Sequence, residues 1–316
     1  MSETTQRRLI LLGPQPEYAG LRQAVARLQI AGPVALITAG WQSEELDEAR
    51  LQPLRQALPA DSVNLELFRR SEDLFEADPG LIDMLRRRQD ELRILRDVYR
   101  LRLEQTVETA TRILGRHDDI LDLGPEQESA IESIRLLDRQ YHARTREICD
   151  QWESRLNTAA RPEVVRHRNE INQLLAGTSA IAVSGGHAAI ILNRLRIFGI
   201  LETDSRLPLI AWSGGAMALS GQVVLFHDSP PQGRGGAEVL RAGMGAFDRY
   251  LPLPDARHRL LLDDPVRVSL FARRFDGFQC VVFDESTLLD RDRGAWSVSP
   301  AAERLSTSGQ LTGVTP

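Results

Sequence analysis

Apolar residues follow two different patterns along this chain, and the change between them organises the reading. Near the start come short unbroken runs: Leu9 to Leu12, ending at Gly13-Pro14; Val34 to Ile37, running on to Gly40; and Val63 to Phe68. Between them, Leu21–Leu28 and Glu44–Leu58 carry apolar residues at helical spacing. Continuous apolar strands alternating with helices predict a mostly parallel sheet covered on both faces, an α/β fold.

From about Asp73 to Leu156 the strand pattern stops. Leu85, Leu92, Leu95, Tyr99, Leu103, Val107, Ala110 and Leu114 make one stripe at threes and fours. Beyond the Gly124-Pro125 turn, Ala130, Ile134, Leu137, Tyr141, Ile148 and Trp152 make another. Two helices of ~35–40 residues, each ~50–60 Å long at 1.5 Å per residue, predict an antiparallel coiled-coil hairpin projecting from the sheet domain. Its stripe either packs back onto that domain or forms an arm for a partner or a second copy. The hairpin's length favours the arm, and with it a homo-oligomer that depends on residues 73–158.

The α/β rhythm then resumes. A strand, Ile181 to Val183, leads into Ser184-Gly185-Gly186-His187, with a helix over Ala188–Phe198 behind it. Next come a strand at Leu209–Ala211, the turn Trp212-Ser213-Gly214-Gly215, and a small-residue helix start. Val223 to Phe226 is a further strand, opening into a Pro/Gly-rich loop over Ser229–Gly236. Gln279–Phe283 with Thr287–Leu289 predicts a late hairpin, and the Ser/Thr/Gly-rich tail after Ala302 predicts a frayed end. The expected division is residues 1–72 and 161–300 for the two parts of the α/β domain, 73–160 for the inserted hairpin and 301–316 for the tail.

Composition narrows the function classes. Net charge is -5 and the pI is near 5.8, so no basic field points to nucleic acid or an anionic membrane. Two cysteines, Cys149 and Cys280, make no disulfide framework, and no Cys/His spacing fits a metal site. MSETTQRR leads into only four apolar residues, too few for a signal peptide. The expectation is a cytoplasmic protein with no cofactor and no metal.

The chemistry centres on Ser213. A strand that reverses into a helix at a serine among glycines lifts the hydroxyl clear of the sheet, and the following N–H can help form an oxyanion hole. Strand C-termini should bring three loops to one edge: Gly185-Gly186-His187, Trp212-Ser213-Gly214 and His227-Asp228.

Four ordered segments, SGGHAAIILNRLRIFGI, AWSGGA, AGMGAFDRYLPLPDARHRL and VVFDESTLL, resemble the serine peptidase family of aspartyl dipeptidase and cyanophycinase. The resemblance covers roughly residues 8–70 and 165–292, not the hairpin, and implies a class I glutamine amidotransferase-like fold. It places Ser213 on the nucleophile, Gly186 and the Gly214 N–H on the oxyanion hole, and Asp228 on the acid that orients the base. Leu253 stands in the slot of the family's catalytic histidine, after a proline. His187, His227 and His258 are the candidate replacements, His187 first because its loop should face Ser213. Asp284-Glu285 reads as a solvated turn, and Arg234, Arg249 and Arg257 are candidates to hold a substrate carboxylate. Two functions follow: a serine hydrolase of peptide or amide bonds with an altered triad, or a catalytically silent relative that binds a small molecule or peptide and recruits a partner through the hairpin.

Overall fold

Leu9–Leu12 (β1), buried at every position, runs through the middle of a seven-stranded sheet. The computed structural model describes residues 7–201, 206–228 and 236–316. After β1 come α1 (Ala19–Arg27), β2 (Val34–Ile37), a 3-10 segment at Ala39–Glu44, α2 (Glu48–Gln56) and β3 (Val63–Asn64). Four helices follow: α3 (Leu67–Ala77), α4 (Pro79–Leu114), α5 (Gly124–Leu156) and α6 (Pro162–Ala176). The chain returns to the sheet with β4 (Ala180–Val183), α7 (Ala188–Ile197), β5 (Leu209–Trp212) and α8 (Gly214–Leu219). It continues through β6 (Gln222–Leu225), β7 (Glu238–Ala242), β8 (Tyr250–Pro254), α9 (Ala256–Arg259) and α10 (Pro265–Arg274). The last strands are β9 (Gln279–Phe283), β10 (Leu288–Asp292), β11 (Ala295–Val298), β12 (Glu303–Leu305) and β13 (Leu311–Gly313).

The main sheet has the order β11-β10-β1-β5-β4-β2-β3. Five strands, β1 to β5, are parallel; β10 joins β1 antiparallel and β11 joins β10. Side chains alternate across it as strand geometry requires. Leu9, Leu11, Ala35, Ile37, Ile181 and Val183 face one core; Ile10, Leu12, Leu36, Ala182 and Ile210 face the other, with Leu21 and Leu54 of α1 and α2. The fold is α/β with a mostly parallel central sheet and long helices. Among the described residues, no helix is long and apolar enough to cross a membrane.

Helices α4 and α5 pack along one another, but the hairpin does not simply project. Its middle lies against α10, and α5 also lies against β7. The stripe residues Tyr99, Leu103, Ile134, Leu137 and Tyr141 are buried in the same core as the sheet, and Tyr99 stacks on Tyr141 at 4.0 Å. Polar locks reinforce the seat. Arg274 of α10 donates to Asp138 and to the Tyr99 hydroxyl, which in turn accepts from the Val239 N–H of β7.

Other expectations change too. The Val63–Phe68 strand is cut to Val63–Asn64: Asn64 Oδ1 accepts from the Glu66 N–H, Glu66 takes a left-handed conformation (φ 53°), and α3 begins at Leu67. Residues 44–58 form a helix only from Glu48, where Asp47 caps the N-terminus by accepting from the Ala49 N–H. Strands β9 and β10 are not a hairpin. β9 runs parallel to β8 in a four-stranded sheet, order β13-β12-β9-β8, while β10 returns to β1. The tail after Ala302 is ordered as β12 and β13, and its end is pinned where Gln279 and Thr315 exchange hydrogen bonds.

Candidate active site

β5 is buried at all four positions and ends at Trp212, after which the chain turns at once into α8. The whole reversal falls on Ser213, whose backbone has φ 47° and ψ -120°. That region is costly for a residue with a Cβ, of order 1–3 kcal/mol. The turn is held by the Ser213 N–H donating to Leu12 O at 3.3 Å and by Met217 N–H donating to Ser213 O at 3.1 Å. The half-buried hydroxyl makes no hydrogen bond to a described residue.

The glycine pair after β4 packs directly on this turn. A Cβ on Gly185 would sit 3.0 Å from Ser213 Cβ, and one on Gly214 only 2.1 Å from Gly186 O. Gly186 itself has φ +113°, and a side chain there would strike Gly40 O at 2.4 Å. Only glycine fits at 186 and 214. The Gly214 N–H opens α8 and has no partner within the helix, as for every first-turn amide; the Gly186 N–H likewise donates to no described backbone carbonyl. Ser213, Gly186 and Gly214 are therefore brought together as the pattern predicts.

The base and its acid are not. β6 pairs with β7 alone among the described residues, so His227 and Asp228 leave a strand outside the seven-stranded sheet. The Asp228 carboxylate accepts from the Leu261 N–H at 2.9 Å and pairs with Arg267 at 3.0 Å; its own N–H donates to Arg259 O. It orients no described histidine. His187 caps α7, its Nδ1 accepting from the Ile190 N–H at 3.4 Å. An imidazole that accepts at Nδ1 carries its proton on Nε2 and has no lone pair left there for a general base. Leu253 is fully buried inside β8.

His258 is placed differently. Its Nδ1 lies 2.5 Å from Asp255 Oδ1, and its side chain is 84% exposed on α9. The carboxylate directs the Nδ1 proton toward itself and leaves Nε2 as a free acceptor. α9 follows β8, whose end is tied to β9 by the Asp255 N–H donating to Phe283 O. The turn after β9 in turn abuts β1: the Gly13 N–H donates to Thr287 O, and a Cβ on Gly13 would overlap Asp284 O. β1 hands on to Ser213 through Leu12. No described imidazole hydrogen-bonds Ser213 Oγ.

The other candidates have these partners. Arg257 pairs with Asp284 at 2.9 Å and also with Glu303, and the bond to Asp284 first, then that to Glu303, holds its guanidinium above the ordinary arginine range. Arg249 is engaged by the Pro316 carbonyl, and Arg234 lies outside the described residues. One residue was missed by sequence reading. Gln42, in the loop after β2, repeats the Ser213 backbone with φ 57° and ψ -125°, exposed beside Gly40. A glutamine gives no hint of positive φ, so nothing in the sequence marked it. Among the described residues no group of three or more His, Cys, Asp or Glu side chains is placed to hold a metal ion.

No family model matches the chain, and no curated protein matches it. Among solved structures, a peptidase from an acI-B1 actinobacterium is similar with a TM-score of 0.49 and 14% identity, over 98% of this chain and 95% of that one.

Proposed function

We propose that the chain is a serine hydrolase acting on a peptide or amide bond, a divergent relative of the aspartyl dipeptidase and cyanophycinase family with the glutamine amidotransferase-like fold. The observation that carries this reading is the Ser213 backbone: a strained turn, a hydroxyl with no described partner, and two glycines that bring free amides beside it. Strain of this kind persists where the surroundings over-determine it, and it clusters at active sites.

In this reading His258, oriented by Asp255, takes the role left vacant where Leu253 stands. Ser213 Oγ attacks the scissile carbonyl carbon, and its proton passes to His258 Nε2. The carbonyl oxygen, now an anion, accepts from the Gly214 and Gly186 N–H groups; such donors are each worth about 10²–10³ in rate. The C–N bond then breaks, the leaving amine takes the proton from His258, and water repeats the sequence on the acyl-enzyme. In this reading the hydrogen bond between His258 and Ser213 forms in the substrate complex, since catalytic hydrogen bonds are often long in the free enzyme.

The test is labelling by a fluorophosphonate probe. Labelling abolished in Ser213→Ala and slowed in His258→Ala supports the reading; an unlabelled native protein sinks it. A second reading, a catalytically silent protein whose hairpin recruits a second copy, is favoured by one observation. Ile94, Val98 and Leu101 form an exposed apolar stripe on α4, between about half and two-thirds accessible.

A further inference from the structure

Arginines gather where the hairpin meets the α/β body. A cavity of about 280 Å³ is lined by Arg88 of α4, Arg146 of α5, Arg196 of α7 and Arg241 of β7. Each comes from a different element. Their only acidic companions on the wall are Asp150 and Glu153, and among the described residues no carboxylate lies within 4 Å of any of the four guanidiniums.

Arg274, also buried, is met by the carboxylate of Asp138; the four arginines of the cavity have no such partner among the described residues. Arg241, only 8% exposed, donates to Asn193 Oδ1 at 3.0 Å and to Cys149 Sγ at 3.7 Å, leaving its buried Nε without a partner. Arg88 has a buried, unpartnered Nε as well. Arg196 reaches only the carbonyls of Ala242 and Gly243, at 2.9 and 3.1 Å. Burial, and then the charge of Arg241, hold the Arg88 and Arg196 guanidiniums below the ordinary range, Arg196 at about 10. Buried unpaired charge is expensive unless something of opposite sign completes it.

We propose that this cavity binds a small phosphorylated molecule, its phosphate held by Arg88, Arg146, Arg196 and Arg241. Four guanidiniums facing two carboxylates call for a ligand of more than one negative charge. A phosphate monoester carries about -1.5 to -2 at neutral pH and offers three acceptor oxygens to planar donors, which a lone carboxylate does not. The volume leaves room for a small organic group beyond the phosphate. The site is separate from the Ser213 turn. His187 begins α7 beside that turn, and Arg196 lies further along the same helix, roughly 13 Å away at 1.5 Å per residue. Because the four arginines come from hairpin and body alike, the ligand would bridge the two and raise the temperature at which they part.

Isothermal titration of the full chain with glucose 6-phosphate, inorganic phosphate, citrate and glucose at constant ionic strength tests this. Saturable binding of the two phosphates, with none of glucose, is the expected result. Arg146 is exposed and makes no hydrogen bond or ion pair with a described residue, so Arg146→Gln should fold normally and weaken glucose 6-phosphate binding about tenfold, as loss of one charged hydrogen bond does. Arg88→Gln should do the same. Binding unchanged in both variants, or citrate bound in preference to either phosphate, overturns the proposal. Loss of fluorophosphonate labelling bears on Ser213 alone and leaves this site standing.

Discussion

Arg274 and Asp138 meet through two parallel contacts, Nε to Oδ2 at 2.7 Å and Nη2 to Oδ1 at 2.8 Å, beneath the crossing of α10 over the helical hairpin. The Tyr99 hydroxyl donates to the same carboxylate at 2.8 Å, and burial pushes that phenol well above its ordinary range. Removing one partner strands the other charge in the core, so Arg274→Met should cost about 3–5 kcal/mol. Urea denaturation measures it, and a loss below 1 kcal/mol would show that the hairpin seats on its apolar stripe alone.

His167 supplies a pH dependence. It is buried, its Nδ1 lies 3.2 Å from Arg70 Nη1 and its Nε2 3.2 Å from Arg166 Nη2. Desolvation first, then the two guanidiniums, lowers its pKa in the folded state. The unfolded chain therefore takes up this proton at a higher pH than the folded one, and stability should fall as pH drops below about 6.5. His167→Gln should flatten the denaturation midpoint between pH 7 and pH 5.5; an unchanged slope would assign the effect elsewhere, His142 being the other histidine with a lowered pKa.

Gly186→Ala tests the packing beneath Ser213. With φ at +113° and Gly40 O only 2.4 Å from the new methyl, the loop has to move off the Ser213 turn. Strain alone should cost about 1–3 kcal/mol. If Gly186 is an oxyanion donor as proposed, labelling of Ser213 should fall with it.

Asp255→Asn separates the proposed base from a surface histidine. If Asp255 holds the His258 proton on Nδ1, the amide removes that preference while keeping the shape, and the labelling rate should fall about 10²–10⁴-fold. Its pH profile should change as well. A variant as reactive as the native protein would remove His258 from the chemistry.

The hairpin's outer face is tested by Val98→Asp with Leu101→Asp, two exposed positions that touch no buried core. If the stripe joins a second copy, light scattering should show the native dimer reduced to a monomer with the fold intact by circular dichroism. Equal masses for the two proteins would leave the stripe without a role in assembly.

Much of this architecture was legible in the chain itself. Unbroken apolar runs such as Leu9–Leu12 and Ala180–Val183 need both faces covered, so they read as parallel strands whatever lies around them. The stripes through Tyr99 and Tyr141 predicted two long helices, and glycines around Ser213 predicted the sharp turn, because both are set by local geometry. What local pattern could not carry was placement. Val223–Phe226 reads as one more sheet strand, yet β6 pairs with β7 outside the main sheet and takes Asp228 to Arg267. The tail looks loose by composition and is ordered because β9 offers it an unpaired edge. His187 became a helix cap and His258 an acid-paired base candidate through neighbours three residues away or less, a difference of rotamer that sequence does not show. The four arginines of the cavity are spread from residue 88 to residue 241. Each looks like an ordinary surface charge in sequence, and only the seating of the hairpin on α10 and β7 brings them to one cavity.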